Sequence, residues 1–107
     1  SLHGAVLAKA DLRGANLERA DLQVATLAGA DLTNARLEKT HLFGSNLQDA
    51  KLVKANLRGA NLVDANLRGS DLTGADLTDA RLDSADLGGA RWTDGRVCAA
   101  ESVGRCL

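Results

Sequence analysis

Leucine stands at every fifth position from Leu2 to Leu87, 18 times in succession, and Trp92 and Val97 continue the phase. Two residues before each lies a second register, from Ala5 to Gly95, in which 15 of 19 positions are Ala and the others are Thr40, Ser45, Ser70 and Gly95. Between the two registers Asp or Asn dominates, at Asp11, Asn16, Asp21, Asp31, Asn46, Asn56, Asn61, Asn66, Asp71, Asp76 and Asp86. Gly recurs two residues after the Leu, as at Gly14, Gly29, Gly44, Gly59, Gly69 and Gly74. An α-helix needs apolar residues about every 3.6 positions and a half-buried strand every 2. A period of five would wind Leu around the whole circumference of a helix and alternate it between the faces of a strand. It makes sense only if the chain turns a corner at each pentad, with Leu and Ala always inward. Gly permits backbone angles closed to other residues at such corners, and Asp or Asn suits tight turns. The pattern predicts a solenoid with a small, uniform interior, and leaves the number of corners per coil open.

The unit Ala-(Asp/Asn)-Leu-X-X, as in Ala10-Asp11-Leu12-Arg13-Gly14 and Ala55-Asn56-Leu57-Arg58-Gly59, resembles the pentapeptide-repeat family over residues 1 to about 97. That resemblance implies an all-β fold, a right-handed quadrilateral β-helix with four pentads per coil. About five coils would stack ~4.8 Å apart, as neighbouring strands do. Residues 1–97 then form the solenoid and residues 98–107 a short helical or loop cap. Positions 20 apart become stacked neighbours. Leu12, Leu32, Leu52, Leu72 and Trp92 form one interior column, and Leu7, Leu27, Leu47, Leu67 and Leu87 another. Thr40, Ser45 and Ser70 put hydroxyls at Ala sites. They read either as an internal polar site or, as expected here, as groups that bond a nearby backbone carbonyl and fit the space.

Composition sharpens this picture. The chain has 19 Leu but one Phe, one Trp and no Tyr, Met or Pro, so its core is built of identical layers rather than irregular filler. Its 13 basic and 14 acidic residues leave net −1, which argues against a general nucleic-acid binder, because that needs a basic excess to displace counterions. Residues 1–63 lean basic, whereas residues 64–94 set Arg68, Arg81 and Arg91 against Asp64, Asp71, Asp76, Asp79, Asp83, Asp86 and Asp94. No apolar run approaches the roughly 20 residues that span a bilayer, and the first residues do not read as a signal peptide. No membrane partner is expected. Beginning Ser-Leu, the chain reads as a processed or trimmed product.

A solenoid needs covers at both ends. At the C-terminal end the period fades after Trp92-Thr93-Asp94-Gly95. Residues 99–103 are expected to form a short helical turn, with Val103 and Leu107 over the last layer. Cys98 and Cys106 flank this segment and read as a disulfide pinning it; two free thiols in a reducing cytoplasm are the alternative. A disulfide would favour an extracytoplasmic location: a periplasm, a thylakoid lumen or the exterior. At the other end Leu2 and Leu7 enter the repeat at once. Either an upstream cap has been removed or this face meets another molecule, so end-to-end self-association through the N-terminal coil is an expectation.

Candidate chemistry is sparse. His3 and His41 are the only imidazoles, and His41 would stack above Asp21 at ion-pair distance. A metal site needs three or four converging ligands, and neither a metal nor any other cofactor is expected. No nucleophile–base pair or phosphate loop stands out, so the chain does not read as an enzyme. Ladders such as Glu18, Glu38 and Arg58 suggest solubility and register. One external column, Gln23, Phe43 and Val63 with Val24 beside it, puts the sole Phe outside the core as a possible patch for an unidentified protein partner. The expected function is a non-enzymatic structural or protein-interaction module. The resemblance offers an alternative, a DNA-mimicking gyrase-binding protein of the quinolone-resistance type. Such proteins are long, strongly acidic rods, and this chain is short and nearly neutral.

Overall fold

The computed structural model describes residues 1–107, and they fold without any helix. Parallel β-bridges join residues 20 apart, one per pentad, from Val6↔Thr26 to Asp71↔Arg91. They define four ladders, named here as walls. Wall 1 carries Val6, Thr26, Asn46, Asn66 and Asp86; wall 2 carries Asp11, Asp31, Lys51, Asp71 and Arg91. Wall 3 carries Asn16, Arg36, Asn56 and Asp76; wall 4 carries Asp21, His41, Asn61 and Arg81. Each wall contributes a single bridged residue per coil, so no strand of ordinary length exists.

The pentad explains why. After each Leu the chain makes a four-residue turn closed by a bond from the Ala-register N–H to the Leu carbonyl, as in Ser45 N to Leu42 O at 3.0 Å. The third residue of every such turn from Gly4 to Gly89 has positive φ. That φ fits a type II turn, in which only the third residue must be left-handed. The remaining N–H groups are shared out completely around Asn46: its N–H bonds Ala25 O at 2.9 Å, Leu47 N–H bonds Asn66 O at 2.7 Å, and Asp49 N–H bonds Arg68 O at 2.9 Å. One N–H is left, that of Gln48 just after the Leu, and the side chain of Asn46 accepts it at 3.0 Å.

The same side-chain bond occurs at all eleven Asp and Asn positions between the registers. Those residues therefore do more than tolerate a turn. Each supplies an acceptor for the one backbone donor that the ladder cannot satisfy.

Inside, twelve Leu side chains are fully buried, among them Leu27, Leu32, Leu47, Leu52, Leu67, Leu72 and Leu87. Leu7, Leu12 and Trp92 are half-buried at the ends of their columns. Full burial of each Leu is worth ~1.5–3 kcal/mol before entropy is charged. Ala at the intervening register, buried from Ala25 through Ala65, leaves the opposed walls room to approach. Thr40 and Ser70 bond the carbonyls of Leu17 and Leu67 at 2.8 and 2.7 Å, as expected. Ser45 departs from that expectation: its buried hydroxyl has no partner.

The C-terminal cover differs from its sequence reading. After Arg91 the chain reverses through a turn closed by Gly95 N to Trp92 O, and Trp92 N–H bonds Arg96 O at 2.7 Å. Val97 then pairs antiparallel with Arg91, and Val103 with Asp86. A reversed strand flips which residues face inward, so Val97, Val103 and Leu107 are 57%, 57% and 47% exposed rather than seated on the core. Cys98 and Ser102 take the inward places. The segment 99–102 is a single turn closed by Ser102 N to Ala99 O, not a helix. Cys98 and Cys106 are joined by a disulfide with their Cα atoms 4.9 Å apart. Gly88 is buried under this cover, and a Cβ there would lie 2.5 Å from Ala100 O, so only Gly lets the segment cross wall 1.

Leu52→Lys should abolish folding, because the central layer offers an ammonium no partner. Arg58→Ala removes one exposed ion pair to Asp76 and should cost under ~0.5 kcal/mol. Comparable melting temperatures for the two variants would refute the inward register.

Candidate functional site

The interior is filled, so recognition has to come from the outward residues of the walls and corners. Wall 3 and the column beside it carry ion pairs: Arg36 reaches Glu18 at 3.1 Å and Glu38 at 3.7 Å, and Arg58 reaches Asp76 at 3.3 Å. Farther round, Arg68 pairs with Asp86 at 3.1 Å. All but Arg36–Glu38 link successive coils at the surface, where each is worth little individually. Of the expected mixed ladder, Glu18 and Glu38 are joined through Arg36, which the sequence reading did not name, whereas Arg58 pairs with Asp76 instead.

Wall 4 is different. His41 stacks on Asp21 through the backbone bridge, but no ion pair forms between them. The Asp21 carboxyl is instead held low by the Gln23 N–H, with His3 and Ser1 contributing. Two features flank this wall. On one corner stand Arg19, Lys39 and Gly59. With His41 and Asn61 they line an open depression of ≈ 340 Å³ without a hydrophobic residue. On the other side lies the column Gln23, Phe43 and Val63, with Val24 at the next corner. Phe43 is 40% and Val24 51% exposed. Val63 and Gln23 are half-buried, so the structure brings all four residues of the expected patch to one edge.

Val24 stands out among the corner residues. The other non-Gly residues at positive φ are Lys, Arg, Asn, Asp and Ser, whereas Val24 is β-branched at φ 50. A left-handed conformation costs a non-Gly residue about 1–2 kcal/mol and is a genuine outlier for a β-branched one. Its side chain leans over the next coil, with Cγ1 3.3 Å from where a Cβ on Gly44 would stand.

Sequence reading found the Phe43 patch and missed the depression. The signal was present as a basic, basic, Gly column at positions 19, 39 and 59 beside His41 and Asn61. It becomes visible only when positions 20 apart are read as neighbours. No three His, Cys, Asp or Glu side chains converge on a point that could hold a metal ion. No helix is long and apolar enough to cross a membrane.

The geometry defines a class first: an all-β solenoid of stacked pentads. The pentapeptide-repeat family model matches eight copies, over residues 1–38, 20–59 and 60–92, and the chain belongs to that family. Among solved structures it is similar to alr5209, a pentapeptide repeat protein from Nostoc Pcc 7120. The two share 37% identity over 76% of this chain and 67% of that one, with a TM-score of 0.75. It also shares the fold of AT2G44920, a pentapeptide repeat protein of the Arabidopsis thaliana thylakoid lumen. That match has 24% identity over 97% of this chain and 85% of the other, with a TM-score of 0.68. Comparison with curated proteins gives no match.

The side-chain bonds of the walls make stability depend on acid. Arg13 bonds Asp11 through both Nε and Nη2 at 2.8 Å and, with its own N–H, holds that carboxyl down to about 2. The Thr33 hydroxyl and N–H lower Asp31, and those of Thr78 lower Asp76. Burial pushes Asp71 up, but the Thr73 hydroxyl and N–H outweigh it. A carboxyl lowered on folding stabilises the folded state above its ordinary value, ~3.9 for Asp, and loses that contribution as pH falls through the lowered one. The melting temperature should therefore hold level down to about pH 5 and fall between about pH 4 and 2. Asn at positions 11, 31 and 76 keeps the turn acceptor and should blunt that fall. A melting temperature level to pH 2 in the unaltered protein contradicts the assignment.

Proposed function

We propose that this chain is a rigid, non-enzymatic interaction module: a right-handed solenoid of about five coils, covered at one end by residues 98–107, that binds a protein partner on its outer surface. The observation that carries this reading is Val24. A β-branched side chain sits in a left-handed corner at φ 50, half exposed, beside a half-exposed Phe43. Replacement by Gly or Asn would relieve the backbone, and the apolar pair does little for the core. Its use is outward, against an apolar surface of a partner protein, with Gln23 and Val63 completing the patch. DNA mimicry is the poorer reading, because it calls for continuous negative charge and this surface carries net −1 with Arg19 and Lys39 on the corner beside wall 4. The Cys98–Cys106 disulfide is compatible with an extracytoplasmic compartment.

The module reading makes a paired prediction. Val24→Asn should raise the melting temperature by removing backbone strain. The same change, and Phe43→Ser separately, should weaken retention of the partner that the unaltered protein retains from its source extract. Retention of that partner undiminished by both substitutions would rule the patch out.

A further inference from the structure

We infer that the depression between walls 3 and 4 is an oxyanion-binding site, formed by Arg19, Lys39, His41 and Asn61 around the gap at Gly59. It is separate from the Phe43 patch and does not depend on it.

The first argument is charge pairing. Nearby carboxylates are already engaged elsewhere: Glu18 with Arg36 at 3.1 Å, Glu38 with the Asn56 amide at 2.9 Å and Asp21 with the Gln23 N–H at 3.1 Å. The cations of the depression are not. Lys39 and His41 form no ion pair, and Arg19 touches only the edge of Glu18, at 3.9 Å.

The second argument is hydrogen-bond polarity. Asn61 Oδ1 is used by the Val63 N–H at 3.0 Å, which leaves its Nδ2 protons without a partner. The amide can therefore offer the depression donors. Lys39 and Arg19 are donors by nature, and His41 offers an N–H. The lining thus presents donors from four side chains with no competing carboxylate among them.

The third argument is room. Lys9, Val24, Lys39 and Lys54 each lean over the corner Gly of the next coil, and the Lys39 stem lies over Gly59, with Cγ 3.3 Å from where a Cβ would stand. Gly59 adds no side chain of its own to the column, so a bound group can sit on the wall beside the Lys39 stem. Asp79, next in that column beyond Gly59, is an exposed carboxylate that does not line the depression.

A phosphate group or a carboxylate matches this chemistry, and it has two sources: a free oxyanion or the acidic side chains of a protein segment. The experiment separates them. Backbone amide resonances would be followed at constant ionic strength during titration with inorganic phosphate and, separately, with an acetylated tri-glutamate peptide. The site predicts saturable shifts at Lys39, His41, Gly59 and Asn61, half-complete on the order of 1 mM. Gly59→Asp should weaken them at least about tenfold, a test that keeps the fold because Asp49, Asp64 and Asp79 occupy equivalent corners at φ 59 to 61. Lys39→Asn gives the same reading should that variant not fold, since Asn34 holds such a corner at φ 60. Lys51→Gln, on wall 2, should change nothing. Saturation by phosphate assigns a free oxyanion, and saturation by the peptide alone assigns a protein segment. Absence of saturation with both probes, or equal shifts around Lys51 and Lys54, overturns the proposal.

Discussion

At each corner the backbone passes through a left-handed residue, and one N–H is left behind by the ladder. Those two facts govern the molecule. The left-handed residue swings the chain to the next wall while keeping Leu inward, and ten non-Gly residues accept it at φ between 50 and 61. Such a conformation is unfavourable for each, by about 1–2 kcal/mol, and persists because the corner also closes a turn, joins two ladder bonds and seats a buried Leu. The orphaned N–H explains the Asp and Asn register. Where Asx is replaced, as at His41, the N–H of the residue after Leu, here Phe43, has no protein partner. The chemistry of the outer surface therefore begins in the requirements of the turn.

Such a frame confines variation to a few outward positions. Inside, Leu and Ala repeat because opposed walls admit nothing else, and Thr40, Ser45 and Ser70 enter only as near-equals of Ala in size. Outside, side chains on adjacent coils stand ~4.8 Å apart, which makes a wall an ordered array. Wall 3 and its neighbouring column use that array to pair charges around Arg36 and Arg58. On wall 4 His41 forms no ion pair, nor does Lys39 on the corner beside it, and the wall has the depression on one side and Phe43 on the other.

Much of this was legible in the chain itself. The unbroken Leu register fixed what lies inside, and the Asp and Asn register marked the turns, though not the bond that selects those residues. Coil length was not legible from the period. It came with the family resemblance, and everything about stacked columns depends on it. The disulfide of the cap was read correctly, but the inward seating of Val103 and Leu107 was not, for a physical reason: residues 98–107 carry no period, and extending the phase to Val97 assumed that the chain kept its direction. Asp94-Gly95, a strong turn signal, marks the reversal that turns Val97 and Val103 outward. The His41–Asp21 contact failed because stacking sets backbone neighbours, while side-chain orientation is free at an exposed site.

Native-state amide hydrogen exchange tests the corner account most directly, because it reads each N–H separately. Between residues 22 and 72 the account predicts protection with a five-residue period. The Leu, Ala-register and bridged N–H groups should exchange slowly, Val63 and Gln48 at intermediate rates behind their Asx acceptors, and Phe43 and Val53, which lack one, fastest. Protection without that period, or Phe43 and Val53 as slow as the leucines beside them, would contradict it.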